Sequence, residues 1–130
     1  MNRSEMREQA FVLLYESEFF KDKPVLDLEE IYSENIDVLS EYGKILFEGA
    51  VSQKNELDSI VEKYLKGWTL ARISKVNLAI LRLALYEMMN CENVPESVVI
   101  NEAVELAKKY SGAEDSKFVN GILGSFSRSR

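Results

Sequence analysis

The chain has 130 residues, 16 Lys and Arg against 22 Asp and Glu, a formal net charge of −6 and no histidine. At 46% hydrophobic residues it carries enough apolar material for one domain, or two small halves around a shared core, and too much for a disordered chain. The missing histidine excludes a Ser-His-Asp triad, a Cys-His pair and imidazole-bound zinc, the single cysteine (Cys91) excludes an internal disulfide, and no apolar run is long enough to span a membrane or form a signal-peptide core, so a cytoplasmic protein is expected.

Apolar spacing is helical nearly everywhere, and only two prolines interrupt the chain. The first predicted helix runs from about Ser4 to Phe20, with Met6, Ala10, Leu13, Leu14 and Ser17 on one face. Pro24 and its neighbouring acids mark a connection, followed by a short helix around Leu26–Tyr32. The stretch Val38–Tyr64 offers Tyr42, Ile45, Leu46, Ala50, Leu57, Ile60, Val61 and Tyr64 as core positions. Gly49 and the polar run Ser52-Gln53-Lys54-Asn55 break it into two helices. Lys66-Gly67-Trp68 reads as a boundary. Ile73–Met89 is apolar almost all round and predicts the buried centre of the fold. Asn93 as a cap and Pro95 in a first turn open the next helix, whose inward row is Val99, Ala103, Leu106 and Tyr110. Ser111-Gly112 ends it. A last helix starts near Glu114-Asp115-Ser116 and packs through Val119, Ile122, Leu123 and Phe126. The expected class is all-α: a compact bundle of about seven helices in two small packed halves, approximately 1–66 and 67–130.

The charge is divided along the chain. Residues 22–62 hold eleven acids and three bases, a local charge of −8, so the remainder carries +2. Between Glu62 and Glu87 there is no acid, but there are Lys63, Lys66, Arg72, Lys75 and Arg82. A polyanion therefore still finds a favourable surface on an acidic chain. Catalytic signatures are missing: no carboxylate pair is flanked by signals that would bury and tune it, and no glycine-rich phosphate loop exists. Glu102 and Glu105 sit one turn apart as in carboxylate metal bundles, but those need a Glu-x-x-His partner.

Interaction surfaces are better supported. On the first helix Arg7, Phe11, Tyr15 and Phe19 recur every four residues, off the main core stripe. Two readings stand: a cation beside aromatic rings that meets single-stranded RNA, or a helix packed on two sides. On the central helix Arg72, Lys75, Ala79, Arg82 and Tyr86 form a polar stripe that would face a partner or RNA. Arg82 is assigned mainly to structure, as a buried arginine needing a carboxylate from Glu102 or Glu105. Asp115, Lys117, Phe118 and Asn120 gather polar and aromatic groups at a helix start, where backbone N–H groups can take a phosphate, or where Phe118 is core and Asp115 or Ser116 only caps the helix.

Three stretches together resemble one family. They are Arg7-Glu8-Gln9-Ala10-Phe11-Val12-Leu13-Leu14-Tyr15; the central Trp68-Thr69-Leu70-Ala71-Arg72-Ile73 with Ile80-Leu81-Arg82-Leu83-Ala84-Leu85-Tyr86-Glu87; and Val98 through Tyr110 followed by Phe118-Val119-Asn120-Gly121-Ile122-Leu123. In this order and spacing they resemble the transcription antitermination factor NusB family. The resemblance covers nearly the whole chain except its acidic middle. It implies an all-helical fold, no enzymatic activity and no cofactor. It implies pairing with the small-subunit ribosomal protein NusE, binding of the boxA element of ribosomal RNA transcripts, and work with other Nus factors and RNA polymerase to pass terminators. It places Arg7 and Tyr15 at RNA-contacting positions, with Arg3 in the N-terminal arm and Asp115, Lys117 and Phe118 in a second RNA-proximal cluster. Lys75 and Asn77 fall on the surface facing NusE and RNA, and Phe11, Phe19, Arg82 and Glu102 are expected to pack. Many members carry an acid where Asn77 stands. The arm Met1–Arg7 holds only Arg3 and Arg7 with Glu5 between them, so RNA binding is expected to be weak alone and tighter beside a basic partner. Two other readings remain at this point: a protein scaffold that does not touch RNA, and a stand-alone relative of the helical domain that precedes RNA methyltransferases. The sequence leaves monomer against homodimer open.

Overall fold

A computed structural model describes all 130 residues. It holds seven α-helices and no strand: α1 Arg3–Ser17, α2 Val25–Asn35, α3 Glu41–Ser52, α4 Lys54–Lys63, α5 Lys75–Asn90, α6 Glu96–Tyr110 and α7 Ala113–Arg128, with a 3₁₀ turn at Leu70–Arg72. The all-helical class and the helix count agree with the expectation from sequence. No helix is long and apolar enough to cross a membrane.

The element that organises the rest is α5. Eleven of its residues are buried, and it packs on α1, α3 and α4 on one side and on α6 and α7 on the other. A helix covered on all sides must be apolar all round, which is the pattern of Leu78–Met88. One continuous core of 26 residues runs through both groups of helices, from Ala10, Leu13 and Leu14 through Leu46, Phe47, Leu81 and Leu85 to Leu106, Val119 and Leu123. Two polar braces cross it. Arg7 on α1 pairs with Glu87 on α5 at 2.8 Å, with side-chain exposures of 5% and 1%. Arg82 on α5 makes a two-pronged contact with Asp58 of α4 at 2.7 and 2.9 Å. It also reaches Glu18 at 3.1 Å, just past the end of α1.

The helix ends show where local signals were overruled. Asn2 and Glu5 form a reciprocal capping box on α1. The helix stops at Ser17 rather than Phe20, because Glu18 turns its carboxylate to Arg82 and Lys54. Ser17 is only half-buried, its hydroxyl donating to the Leu14 carbonyl. Helix α2 is longer than expected, and 36–40 stay outside the helices, with Ser40 capping α3 through the Gly43 N–H. Ser74 caps α5, leaving Ile73 in extended backbone before it. Pro95 occupies the position just before α6, so it rather than Asn93 begins that helix, as its fixed φ and missing N–H allow. Gly112 closes the α6–α7 corner at φ 139°, a conformation that glycine alone adopts without strain. Two core expectations fail: Ile45 is 46% exposed, and Tyr110 is 41% exposed, at the edge of α6 with α1 covering only one side of its ring. Tyr42, Ile60 and Tyr64 are half-buried against the core.

Candidate nucleic-acid interface

Helices α1 and α5 run antiparallel, so the end of α1 meets the start of α5. The Arg7–Glu87 pair lies at one end of this contact, Glu18–Arg82 lies further along, and the Lys75 ammonium sits 5.8 Å from the centre of the Phe19 ring at the other end. This antiparallel register sorts the α1 row by depth. Arg7 is 4% exposed and Phe11 2%, Tyr15 is half-buried, and Phe19 is 52% exposed. The rings form a ladder: Phe11 to Tyr15 at 6.3 Å and 27°, then Tyr15 to Phe19 edge-on at 5.1 Å. Phe11 therefore packs, as expected, whereas Phe19 does not, since the chain turns away after Ser17 and leaves its ring in solvent.

Arg7 is the main correction to the expected site. Its guanidinium faces inward, bonded to Glu87 and 3.5 Å from Glu102. Burial works against its charge, but the Glu87 hydrogen bond and the charges of Glu87 and Glu102 outweigh burial and hold the guanidinium firmly protonated. A side chain so engaged braces α1 on α5 and presents nothing to a phosphate. Arg3, one turn earlier, is exposed, its guanidinium carbon 3.7 Å above the Tyr42 ring.

The polar stripe of α5 also resolves by depth. Ala79 and Arg82 are buried, and Tyr86 covers Gly49 of α3, so only Lys75 of the α5 residues in that stripe stays at the surface. Arg72 lies off α5 in the 3₁₀ turn, 5.1 Å from the Trp68 ring. Arg82 is structural as expected, but its carboxylates are Asp58 and Glu18. Glu102 serves Arg7 instead, and Glu105 is exposed beside Lys108.

The second cluster sits at the start of α7. Lys117 is exposed and Phe118 half-buried against the core. Asp115 accepts a hydrogen bond from the Ser111 hydroxyl, and Gly112 occupies the cap position, so neither Asp115 nor Ser116 caps the helix through its side chain. A cleft of about 410 Å³ separates this cluster from the start of α5, with Arg72, Ser74 and Asn77 on one wall and Asp115 and Phe118 on the other. Asn77 is 4% exposed, and its carbonyl oxygen has no hydrogen-bond partner. The structure thus places two groups beside the start of α5: Tyr15, Phe19 and Lys75 on the α1 side, and Asn77, Asp115 and Phe118 around the cleft toward α7, with Lys117 at its margin. Arg3 lies apart at the other end of α1.

Sequence reasoning missed the second end of the aromatic ladder. Tyr110, at the end of α6, packs on Phe11 at 4.8 Å with the rings tilted 46° to each other, and Lys109 lies beside its ring at 5.4 Å. Glu8 binds both, accepting from the Lys109 ammonium at 2.6 Å and from the Tyr110 hydroxyl. Burial pushes the Tyr110 hydroxyl up, and the bond to Glu8 adds to it, to about 12. The signal was present only as a charge and a ring at the last turn of α6, a place where lysines are favoured for the helix dipole alone.

Comparison with known proteins gives one consistent result. The family model described as the NusB family matches residues 4–128. A transcription antitermination protein NusB from Acetivibrio thermocellus is 47% identical over 127 residues, covering 95% of this chain and 87% of the relative. Among solved structures, NusB from T. maritima superposes with a TM-score of 0.86 at 34% identity, over 98% of this chain and 92% of that one. A crystal structure described as antitermination factors NusB and NusE in complex with double-stranded RNA matches with a TM-score of 0.85 at 32% identity, over 98% of this chain and 97% of the matched chain.

Proposed function

The chain belongs to the NusB family, and on that footing we propose that it is a non-catalytic, RNA-binding transcription antitermination factor. It pairs with a NusE-type ribosomal protein, and the pair holds the boxA element of nascent ribosomal RNA while other Nus factors and RNA polymerase assemble around it. The observation that carries this reading is the pair of groups beside the start of α5, where aromatic rings stand next to lysines that pair with no carboxylate. Lys75 and Lys117 make no ion pair with a carboxylate, unlike Lys54 and Lys109. Phosphates need such free cations, and unstacked bases need ring faces. The likeness to a NusB chain solved with NusE and RNA supports the same use of the fold.

In this reading Tyr15 and Phe118 offer ring faces, and Lys75, Lys117 and Arg3 offer charge. Asp115 accepts from a base amino group or a ribose hydroxyl. Arg7 is a positioning residue: it fixes the rotation of α1 and so the direction of Tyr15. Lys75 and Asn77 belong to the side that meets the NusE-type partner; Lys75 makes the contact, and the enclosed Asn77 supports that surface from beneath. The sparse charge of the N-terminal arm makes the partner's basic surface part of the binding site.

The test is RNA titration of the wild type and of Tyr15→Ala with Lys117→Ala, each with the NusE-type partner bound. The paired substitution should weaken binding about tenfold or more and reduce the salt slope by about 0.7, the share of one lysine. Unchanged affinity and slope would leave the chain as a scaffold whose partner alone touches RNA.

A further inference from the structure

We propose a second nucleotide subsite, on the face of α7 that looks toward residues 64–68, which continues the RNA path past Phe118. It rests on the RNA-binding reading above, shares Lys117 and Phe118 with it, and adds Tyr64, Lys66, Trp68 and Gly121, which that reading does not use. A cleft of about 340 Å³ lies there, lined by Tyr64, Lys66, Trp68, Lys117, Phe118 and Gly121 among others, and by no carboxylate. Trp68 and Phe118 line both this cleft and the one beneath Asn77, so the two are neighbours across the same pair of rings.

Three observations point to a nucleotide rather than to packing. Trp68 is 57% exposed, an unusual place for the one tryptophan of a chain whose core is otherwise closed. Lys66 and Lys117 line this cleft and pair with no carboxylate, and Arg72 lies over the Trp68 ring at 5.1 Å from the side of the neighbouring cleft. Gly121 leaves the helix face open: no atom lies within 4 Å of where its Cβ would stand. A ring face, cations for a phosphate and a gap where a side chain would otherwise stand are what an unstacked base requires. A basic partner protein would be repelled by the same cations.

The single tryptophan makes the subsite directly observable. The NusE-type complex is titrated with a single-stranded boxA RNA of about 12 nucleotides, following Trp68 emission and the anisotropy of a label on the RNA. A Trp68→Phe complex supplies the background from any partner tryptophan. Emission should be quenched in step with binding. Trp68→Ala and Gly121→Leu should each weaken RNA binding about tenfold, while Trp68→Phe keeps it. Gly121→Leu should not lower Tm, since the added side chain fills empty space. RNA that binds with unchanged emission and wild-type affinity for Gly121→Leu overturns this subsite and leaves the family reading intact. A Gly121→Leu chain that loses the protein partner instead of RNA also overturns it. A complex that binds no RNA at all overturns the reading beneath it.

Discussion

Arg7 shows how one side chain can have the residue type of a binding site and the position of a core. On the sequence it begins a row of cation and rings. In the fold its guanidinium and the Glu87 carboxylate are enclosed together, with the Tyr42 hydroxyl also donating to Glu87. Removing one partner of a buried pair leaves the other charge without compensation, so Arg7→Ala should cost roughly 3–5 kcal/mol in urea unfolding. The double variant Arg7→Met, Glu87→Leu should recover much of that and keep the salt slope of RNA binding, which a phosphate contact would not allow. Glu29 is the other informative residue. It is 7% exposed, with one carboxylate oxygen unpartnered. Burial, then the neighbouring Glu48, push it up to about 7. An unfolded Glu titrates near 4.3, so between these values the native state holds the extra proton. Its stabilising contribution is complete below that lower value and is lost as pH rises through about 7. Glu18 behaves oppositely: burial raises its pKa, but Arg82 and Lys54 outweigh burial and hold it low, so its contribution fades only in acid. Thermal melts at about pH 5 and about pH 8 should therefore show Glu29→Gln gaining Tm at the higher pH and flattening the profile. Equal profiles for the two chains would show that Glu29 is not protonated in the native state.

At the scale of elements, the helices were legible because each buries a face at helical spacing, and α5 most of all because it buries every face. What sequence could not give is contact between helices. The end of α1 is set by Glu18 meeting Arg82, and Asp58, within a segment that reads as solvent-facing acid, completes the same brace 24 residues from its partner. Phe19 keeps the spacing of a packing residue and loses the packing because the helix stops short. The close approach of α3 to α5 is equally hidden: a Cβ on Gly49 would stand 2.0 Å from the Tyr86 ring. Alanine ordinarily gains about 1 kcal/mol over glycine inside a helix. Here Gly49→Ala should instead destabilise, by about 1–3 kcal/mol after the helices shift apart. A lowered urea midpoint checks this, and a raised one would mean that the ring swings aside freely.

For the whole molecule, the net charge of −6 is a poor guide to what it binds. The acids concentrate in residues 22–62, which form α2, α3 and most of α4, whereas Tyr15, Lys75, Asp115, Lys117 and Phe118 all lie outside that segment. The proposed RNA-facing residues are therefore brought beside the start of α5 from helix ends that are distant in sequence, and their legibility depended on a family pattern rather than on any local motif. The same division leaves the chain short of phosphate contacts of its own, so the account predicts dependence on a basic partner. The most direct measurement is the salt dependence of boxA RNA binding, by the chain alone and with the NusE-type protein bound. Counterion release gives each phosphate contact a slope of about 0.7 on single strands. The chain alone should bind weakly with a shallow slope, and the complex tightly with a slope steeper than that of the partner alone by the contribution of Lys75 and Lys117. A complex whose slope and affinity equal those of the partner by itself would contradict the account.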